Sequence, residues 1–171
     1  MSAAKQREYD ELRAWYYGHF RAKVLVDTGF IVNVGPIDNQ SLEQVANWKK
    51  RRYQWNWSAI RKKRVHVPAR FELAVSVGDI LCGLIIGKPS RGRSHLSIGY
   101  LEGAPFDHHL KRRLLDILLD GAMEYAFATH CPKVVLWDPV AKLIPVYERA
   151  GFVLEVSKSG RKYCVKNVER S

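Results

Sequence analysis

Leu143 to Phe152 reads LIPVYERAGF, and this stretch decides the fold. A short helix carrying Tyr147 runs into Ala150-Gly151-Phe152, and a strand over residues 152–157 follows. The glycine fits a helix end, where the chain turns out through a left-handed residue. Phe152 then enters a sheet. Taken alone, the segment also fits any helix that caps before a strand, with Tyr147 as an ordinary half-buried aromatic.

Working backwards, the preceding strand is KVVLW (Lys133 to Trp137), short and apolar throughout. Before it, Leu110, Leu114, Ile117, Leu118, Gly121 and Tyr125 form the apolar stripe of a long helix that Asp107 can cap and that ends near Ala128. Three strands precede that helix: Phe71 to Val77, Ile80 to Gly87 after the turn at Gly78-Asp79, and His95 to Glu102, which Gly103 to Pro105 break. Further back, residues 55–64 read as helical. Ser41 can cap a helix with Leu42, Val45, Ala46 and Trp48 on one face. Residues 24–34 are rich in β-branched side chains and read as one or two strands broken at Thr28-Gly29. Tyr9, Leu12, Trp15, Tyr16 and Phe20 make residues 4–22 an amphipathic helix. Two final strands cover residues 152–157 and 163–168.

The bulk properties bound the function. The 171 residues, 47% hydrophobic and 26% charged, fit one globular domain with a sizeable core. No run approaches the roughly 18 apolar residues of a membrane helix. The first residues carry no apolar signal core. With three cysteines at wide spacing (Cys82, Cys131, Cys164), the reading is a cytoplasmic protein with buried, reduced thiols and no metal site. The net charge is +11. It is uneven: Met1 to Trp48 holds five basic and six acidic residues, and the next sixteen residues hold eight basic and no acidic ones. Such a cluster draws phosphate-rich or acidic partners.

The order strand, two helices, three-strand meander, long helix, strand, short helix, two strands, together with Tyr-x-x-x-Gly-Phe at Tyr147 to Phe152, resembles the GCN5-related N-acetyltransferase family. The resemblance covers residues 30 to 168. It implies an α+β fold of a mixed, mostly antiparallel sheet flanked by helices. Residues 1–22 would form an added N-terminal helix and residues 23–171 the single acetyltransferase domain. It also implies acetyl-CoA as donor substrate, with Tyr147 beside its sulfur as the acid that protonates the leaving thiolate. The pantetheine arm would lie along the third meander strand, on Gly99, Tyr100 and Leu101. A mid-strand glycine such as Gly99 marks a bulge or a close backbone approach.

One family motif is missing. The glycine-rich pyrophosphate loop R/Q-x-x-G-x-G/A is replaced by EGAPFDHHLKRR, with Phe106, His109 and Lys111 at the key positions. A helix N-terminus still attracts phosphate. His108, His109, Lys111, Arg112 and Arg113 are the side chains to supply charge there, unless they are only a solvated helix face.

Acetylating an amine requires removing its proton, and a lysine amine has a pKa of about 10.4. Glu102 leads as base, with Glu72 and Asp138 as alternatives. By the resemblance, the helices after the first strand line the acceptor groove. In this chain that region, Asn47 to Arg64, interleaves Trp48, Tyr53, Trp55 and Trp57 with two basic blocks. Basic groups bind phosphates and aromatics stack on bases, so Lys49, Lys50, Arg51, Arg52, Trp55 and Trp57 point to an RNA or DNA acceptor, aminoacyl-tRNA among them; a protein or small-molecule amine is the other acceptor. Arg91 and Arg93 extend the patch. Packing tryptophans beside a solvated basic face are the alternative. Other readings on the same fold are a nucleic-acid binder without catalysis, a nucleobase-modifying enzyme, or one using another acyl donor. The assembly would be a monomer or homodimer.

Overall fold

Tyr9, Tyr16, Phe20 and Val24 are buried along one stripe of α1 (Ala3–Thr28), and this stripe carries the helix beyond its expected end. Residues 24–28 are therefore its last turns and not a strand. Val24 continues the i, i+4 spacing of Tyr16 and Phe20, and Gly29 ends the helix at φ 76° with its N–H on the Leu25 carbonyl. The computed structural model describes residues 2–169. Met1, Arg170 and Ser171, the outer ends of the two expected segments, lie outside them. The expected boundary between residues 22 and 23 falls inside α1. That helix is no detached extension: the Tyr16 hydroxyl donates to the Gly121 carbonyl at 2.7 Å, and Tyr16 meets the Tyr125 ring edge-on at 5.3 Å.

After α1 come β1 (Asn33–Gly35), α2 (Asn39–Ala46), α3 (Trp57–Arg64), β2 (Phe71–Val77), β3 (Ile80–Pro89), β4 (Leu96–Gly103), α4 (Leu114–Ala128) and β5 (Lys133–Trp137). A 3₁₀ turn (Ala141–Leu143), α5 (Ile144–Arg149), β6 (Val153–Val156) and β7 (Lys162–Asn167) complete the chain. The seven strands form one sheet in the order β1-β2-β3-β4-β5-β7-β6. Every pairing is antiparallel except β4 with β5.

Because strand side chains alternate between faces, β2 and β3 feed two cores. Phe71, Leu73, Val75 and Ile85 pack under α1 and α4. Ala74, Leu84 and Ile86 pack under α2 and α3 with Ile37, Val45, Trp48 and Trp57. Both faces are covered, which is why β3 reads as an unbroken apolar run. The three cysteines are buried free thiols, as read from the sequence. Gly121 lets α4 pass close to the sheet: a Cβ there would lie 2.6 Å from Leu73 Cδ2.

Two caps differ from expectation. Asp38, not Ser41, caps α2, accepting from both the backbone N–H and the hydroxyl of Ser41. Asp107 caps nothing. α4 starts at Leu114, after Arg113, which makes no side-chain cap bond. Residues 107–113 fold instead as turns around Leu110, which is fully buried in the core. The Lys111 ammonium closes the loop by donating to the carbonyls of Ala104 and Phe106.

Candidate active site

β4 and β5 pair only over Leu96–Ile98 and Val134–Leu136. Beyond Ile98, β4 stays paired with β3 to Gly103 but leaves β5. Gly99 is the pivot. It is skipped in the register, which passes from Ile98 opposite Gly87 to Tyr100 opposite Ile86, so it is the extra residue of a β-bulge. The sequence left a bulge and a close approach open at Gly99, and the structure shows the bulge. A Cβ at Gly99 would meet only Arg64 Nη2, at 3.9 Å. The strand's edge over residues 99–103 is thus left without a β5 partner, and unpaired edges offer backbone donors and acceptors to a ligand.

Two clefts open at this split and share Tyr53, Leu101 and Leu143 in their walls. The first, about 490 Å³, runs from the end of β4 under loop 103–111 to Leu114, Leu115 and Leu118 of α4. Lys50, Arg51, Arg52, His108 and Lys111 line it. His108 Nδ1 accepts from the Leu110 N–H, so its proton sits on Nε2, which is buried without a partner. Burial, then the nearby Lys111 charge, holds the His108 pKa below its usual value, so the ring is a neutral donor. The second cleft, about 470 Å³, lies over Ser97 to Leu101 and the end of β5. Its walls carry Tyr53, Trp55, Tyr100, Trp137 and Tyr147, with Arg64, Lys88, Asp138 and Arg161.

Tyr147 stands in the second cleft, 4% exposed, with its ring against Phe152. Burial raises its pKa well above the usual tyrosine value, with smaller contributions from Cys164 and Tyr53. The phenol is protonated at every physiological pH, the state an acid needs.

The carboxylates stand otherwise. Glu102 is 7% exposed, and Arg51 grips both of its oxygens at 2.8 Å while the Trp57 indole N–H donates to Oε1 at 2.8 Å. That arrangement fixes the loop between α2 and α3 onto β4, and Glu102, which lines the first cleft as expected, has both oxygens engaged by Arg51. Glu72 is buried and accepts from Arg70, Arg61 and the Ile37 N–H. Asp138, at φ 50°, is exposed and lines the second cleft. Arg161 binds it at 2.8 Å and holds its pKa below the usual aspartate value.

The residues expected to hold phosphate or acceptor are regrouped. Trp57 belongs to the core, because its ring fills the space under α3. Trp55 lines the second cleft, but Lys50, Arg51 and Arg52 line the first. Lys49 is exposed outside both. Of the loop residues, His108 and Lys111 reach the first cleft, while Arg112 and Arg113 are exposed away from it. His109 borders a separate depression with Asp107, Val77 and Ile80. Arg93 does not extend the patch: its guanidinium donates to the Thr129 carbonyl and lies over the Tyr9 ring. The sequence reading missed Arg64, Lys88, Trp137 and Arg161 as wall residues. Arg64 was visible only as the last member of a basic block, and the others are brought in by the sheet register. Among the described residues no group of three or more His, Cys, Asp or Glu could hold a metal, and no helix is long and apolar enough to cross a membrane.

The first cleft fits a diphosphate-bearing thioester. It combines an unpartnered strand edge for an amide-rich arm, three cations not spent on Glu102 (Lys50, Arg52, Lys111), and the orphan donor of His108.

No protein-family sequence model matches the chain, and no curated protein matches it in sequence at a significant level. Solved structures match it in fold. Ard1 from Thermoplasma volcanium superposes with a TM-score of 0.63 at 16% identity, covering 81% of this chain and 99% of that one. The PaiA N-acetyltransferase from Thermoplasma acidophilum, solved with coenzyme A, gives 0.60 at 15% identity over 81% and 99%. The spermidine/spermine N-acetyltransferase SpeG from Vibrio cholerae gives 0.56 at 17% identity over 78% and 89%. The strand order, the β4–β5 split and these superpositions together show that the chain has the fold of the GCN5-related N-acetyltransferases.

Proposed function

We propose that the protein transfers an acetyl group from acetyl-CoA to an amine, and that the two clefts meeting at the β4–β5 split hold donor and acceptor. The observation that carries this is the split itself: an unpaired β4 edge after Gly99, with a phosphate-suited cleft on one side and Tyr147 on the other. PaiA, solved with coenzyme A, and SpeG, described as acting on polyamines, support the reaction class.

The thioester supplies the acetyl group. The amine nitrogen attacks its carbonyl carbon, the C–N bond forms and the C–S bond breaks. Tyr147 gives its proton to the leaving thiolate. The proton lost by the amine goes to water at Asp138, the one carboxylate lining the acceptor cleft among the described residues. Unpaired N–H groups of β4 after Gly99 serve the developing oxyanion. Lys50, Arg52, Lys111 and His108 take the phosphates.

With Glu102 and Glu72 occupied and Asp138 a weak base, the site suits an amine that loses its proton easily. An α-amine, with a pKa of about 8, is neutral near pH 7.5 far more often than a lysine amine at about 10.4. An aminoacyl group, on a nucleic acid or free, meets that requirement. The exposed Lys49, Lys62 and Lys63 leave a phosphate-binding surface beside the site.

The test is release of free thiol from acetyl-CoA with an amine panel of graded pKa, wild type against Tyr147→Phe. Amine-dependent release that the variant loses supports the reading. Steeply salt-dependent RNA or DNA binding with no release and no donor binding would favour the non-catalytic binder, which the missing glycines and the +11 charge motivate.

A further inference from the structure

The cleft that holds Tyr147 has a chemical character of its own. Arg64, on the last turn of α3, reaches over the β4 bulge, with Nη2 3.9 Å from where a Gly99 Cβ would stand. Its Nε is buried and has no hydrogen-bond partner. Among the described residues neither Arg64 nor Lys88 forms an ion pair. The single carboxylate in the walls, Asp138, is already bound by Arg161. The Arg64 guanidinium lines the cleft without an ion-pair partner, and an anionic oxygen of a bound ligand is the charge-assisted partner that it lacks. The remaining walls are aromatic. Trp55 stacks on Tyr53 at 4.9 Å and meets Tyr100 edge-on at 5.2 Å, and Trp137 lies under Arg161 at 4.4 Å.

Resting on the acetyl-transfer reading, we infer that the acceptor is an aromatic compound bearing a carboxylate or phosphate, its anionic group held by Arg64 and Lys88 and its ring by Trp55, Tyr100 and Trp137. The arrangement is the opposite of what a polyamine needs. A polycation would meet three cations and find its only carboxylate occupied, and like charges in a partly desolvated cleft repel strongly. A guanidinium matches the two-oxygen geometry shared by carboxylate and phosphate. Arg64 is thus a specificity-determining residue and the link between α3 and acceptor choice.

The experiment uses matched probes that need no turnover. Indole-3-propionate and indole-3-propionamide differ only in the charge, and phenyl phosphate against benzyl alcohol repeats the comparison for phosphate. Each is titrated calorimetrically into the intact protein, with acetyl-CoA titrated in parallel. At least one anion should bind about 10-fold tighter than its neutral partner, one hydrogen-bonded charge's worth of affinity. Which anion wins identifies the source. Arg64→Gln should abolish the difference and Arg64→Lys should restore part of it, and Lys88→Gln, at an exposed position, gives a smaller loss in a fold not at risk. Acetyl-CoA affinity retained in each variant shows that the fold is intact. Equal binding of charged and neutral probes, no binding of any probe at millimolar concentration, or tighter binding of spermidine than of either anion would overturn the inference. If the anions bind as expected and acetyl-CoA does not, the anion site stands and the acetyl-transfer reading fails.

Discussion

Arg51 and Glu102 form a two-point ion pair, Nε to Oε2 and Nη2 to Oε1, both at 2.8 Å, which the Trp57 indole completes. The pair decides what two motifs are for. Arg51 is spent inside the protein and not on a nucleic acid, and Glu102 is spent on holding the α2–α3 segment. Glu102→Ala leaves a guanidinium 13% exposed and unpaired. It should cost about 3 kcal/mol, the low end for breaking a buried pair, with the midpoint of chemical unfolding as the readout. A stable variant that had lost only turnover would return Glu102 to the role of base.

Tyr147→Phe removes one hydroxyl from a buried ring. Turnover should fall at least 100-fold, the lower range of acid catalysis, while acetyl-CoA affinity stays within about threefold. Unchanged turnover would take Tyr147 out of the mechanism.

The pH profile follows from the same groups. Burial raises the Tyr147 pKa, so the acid stays protonated and its loss does not limit the rate up to pH 9. Arg161 lowers the Asp138 pKa, so that carboxylate is already ionised above the ordinary aspartate range. The rate should therefore rise with pH along the acceptor amine's own titration. The Asp138–Arg161 pairing contributes above the unfolded aspartate pKa and is lost as pH falls through the lower folded one. An acidic limb fixed near pH 6 to 7 for amines of different pKa would mean an enzyme base that the site does not contain.

Lys50 and Arg52, exposed at the mouth of the first cleft, belong to the donor in this account. Replacing both with glutamine should weaken acetyl-CoA about 10-fold or more, since a hydrogen bond to a charged group contributes about 1.5 kcal/mol. It should also narrow the preference over coenzyme A lacking its 3′-phosphate. Unaltered donor affinity with weakened RNA or DNA binding would hand these cations back to a nucleic acid.

Gly99 has room for a side chain, with only Arg64 Nη2 within 4 Å of a Cβ. Gly99→Val should leave the melting temperature within a few degrees and yet raise the KM of donor, acceptor or both, because the added methyls project into the split. Collapse of stability would make the bulge a structural need of the sheet alone.

The core and topology were legible because they rest on periodicity and punctuation. The meander, the stripe from Leu114 to Tyr125, and the Tyr147-to-Phe152 segment all came through. Boundaries failed where tertiary contacts overrode local propensity: β-branched Val24 and Val26 sit in a helix because Val24 extends a buried stripe, and Asp107 is no cap because Leu110 is pulled into the core. The site was half legible. Tyr147 and Gly99 carry local signals. Arg64, Lys88, Trp137 and Arg161 do not, since they come from three elements and the β6–β7 turn, stretches of chain that only the fold places around one cleft. Arg51 misled for the same reason, its partner lying 51 residues away.

The most direct test of the central claim is a calorimetric titration of acetyl-CoA into nucleic-acid-free protein, with 3′-dephospho-coenzyme A as control. The account predicts one site per chain at micromolar affinity, weakened in the Lys50/Arg52 glutamine variant. No heat at millimolar acetyl-CoA from folded protein would contradict it.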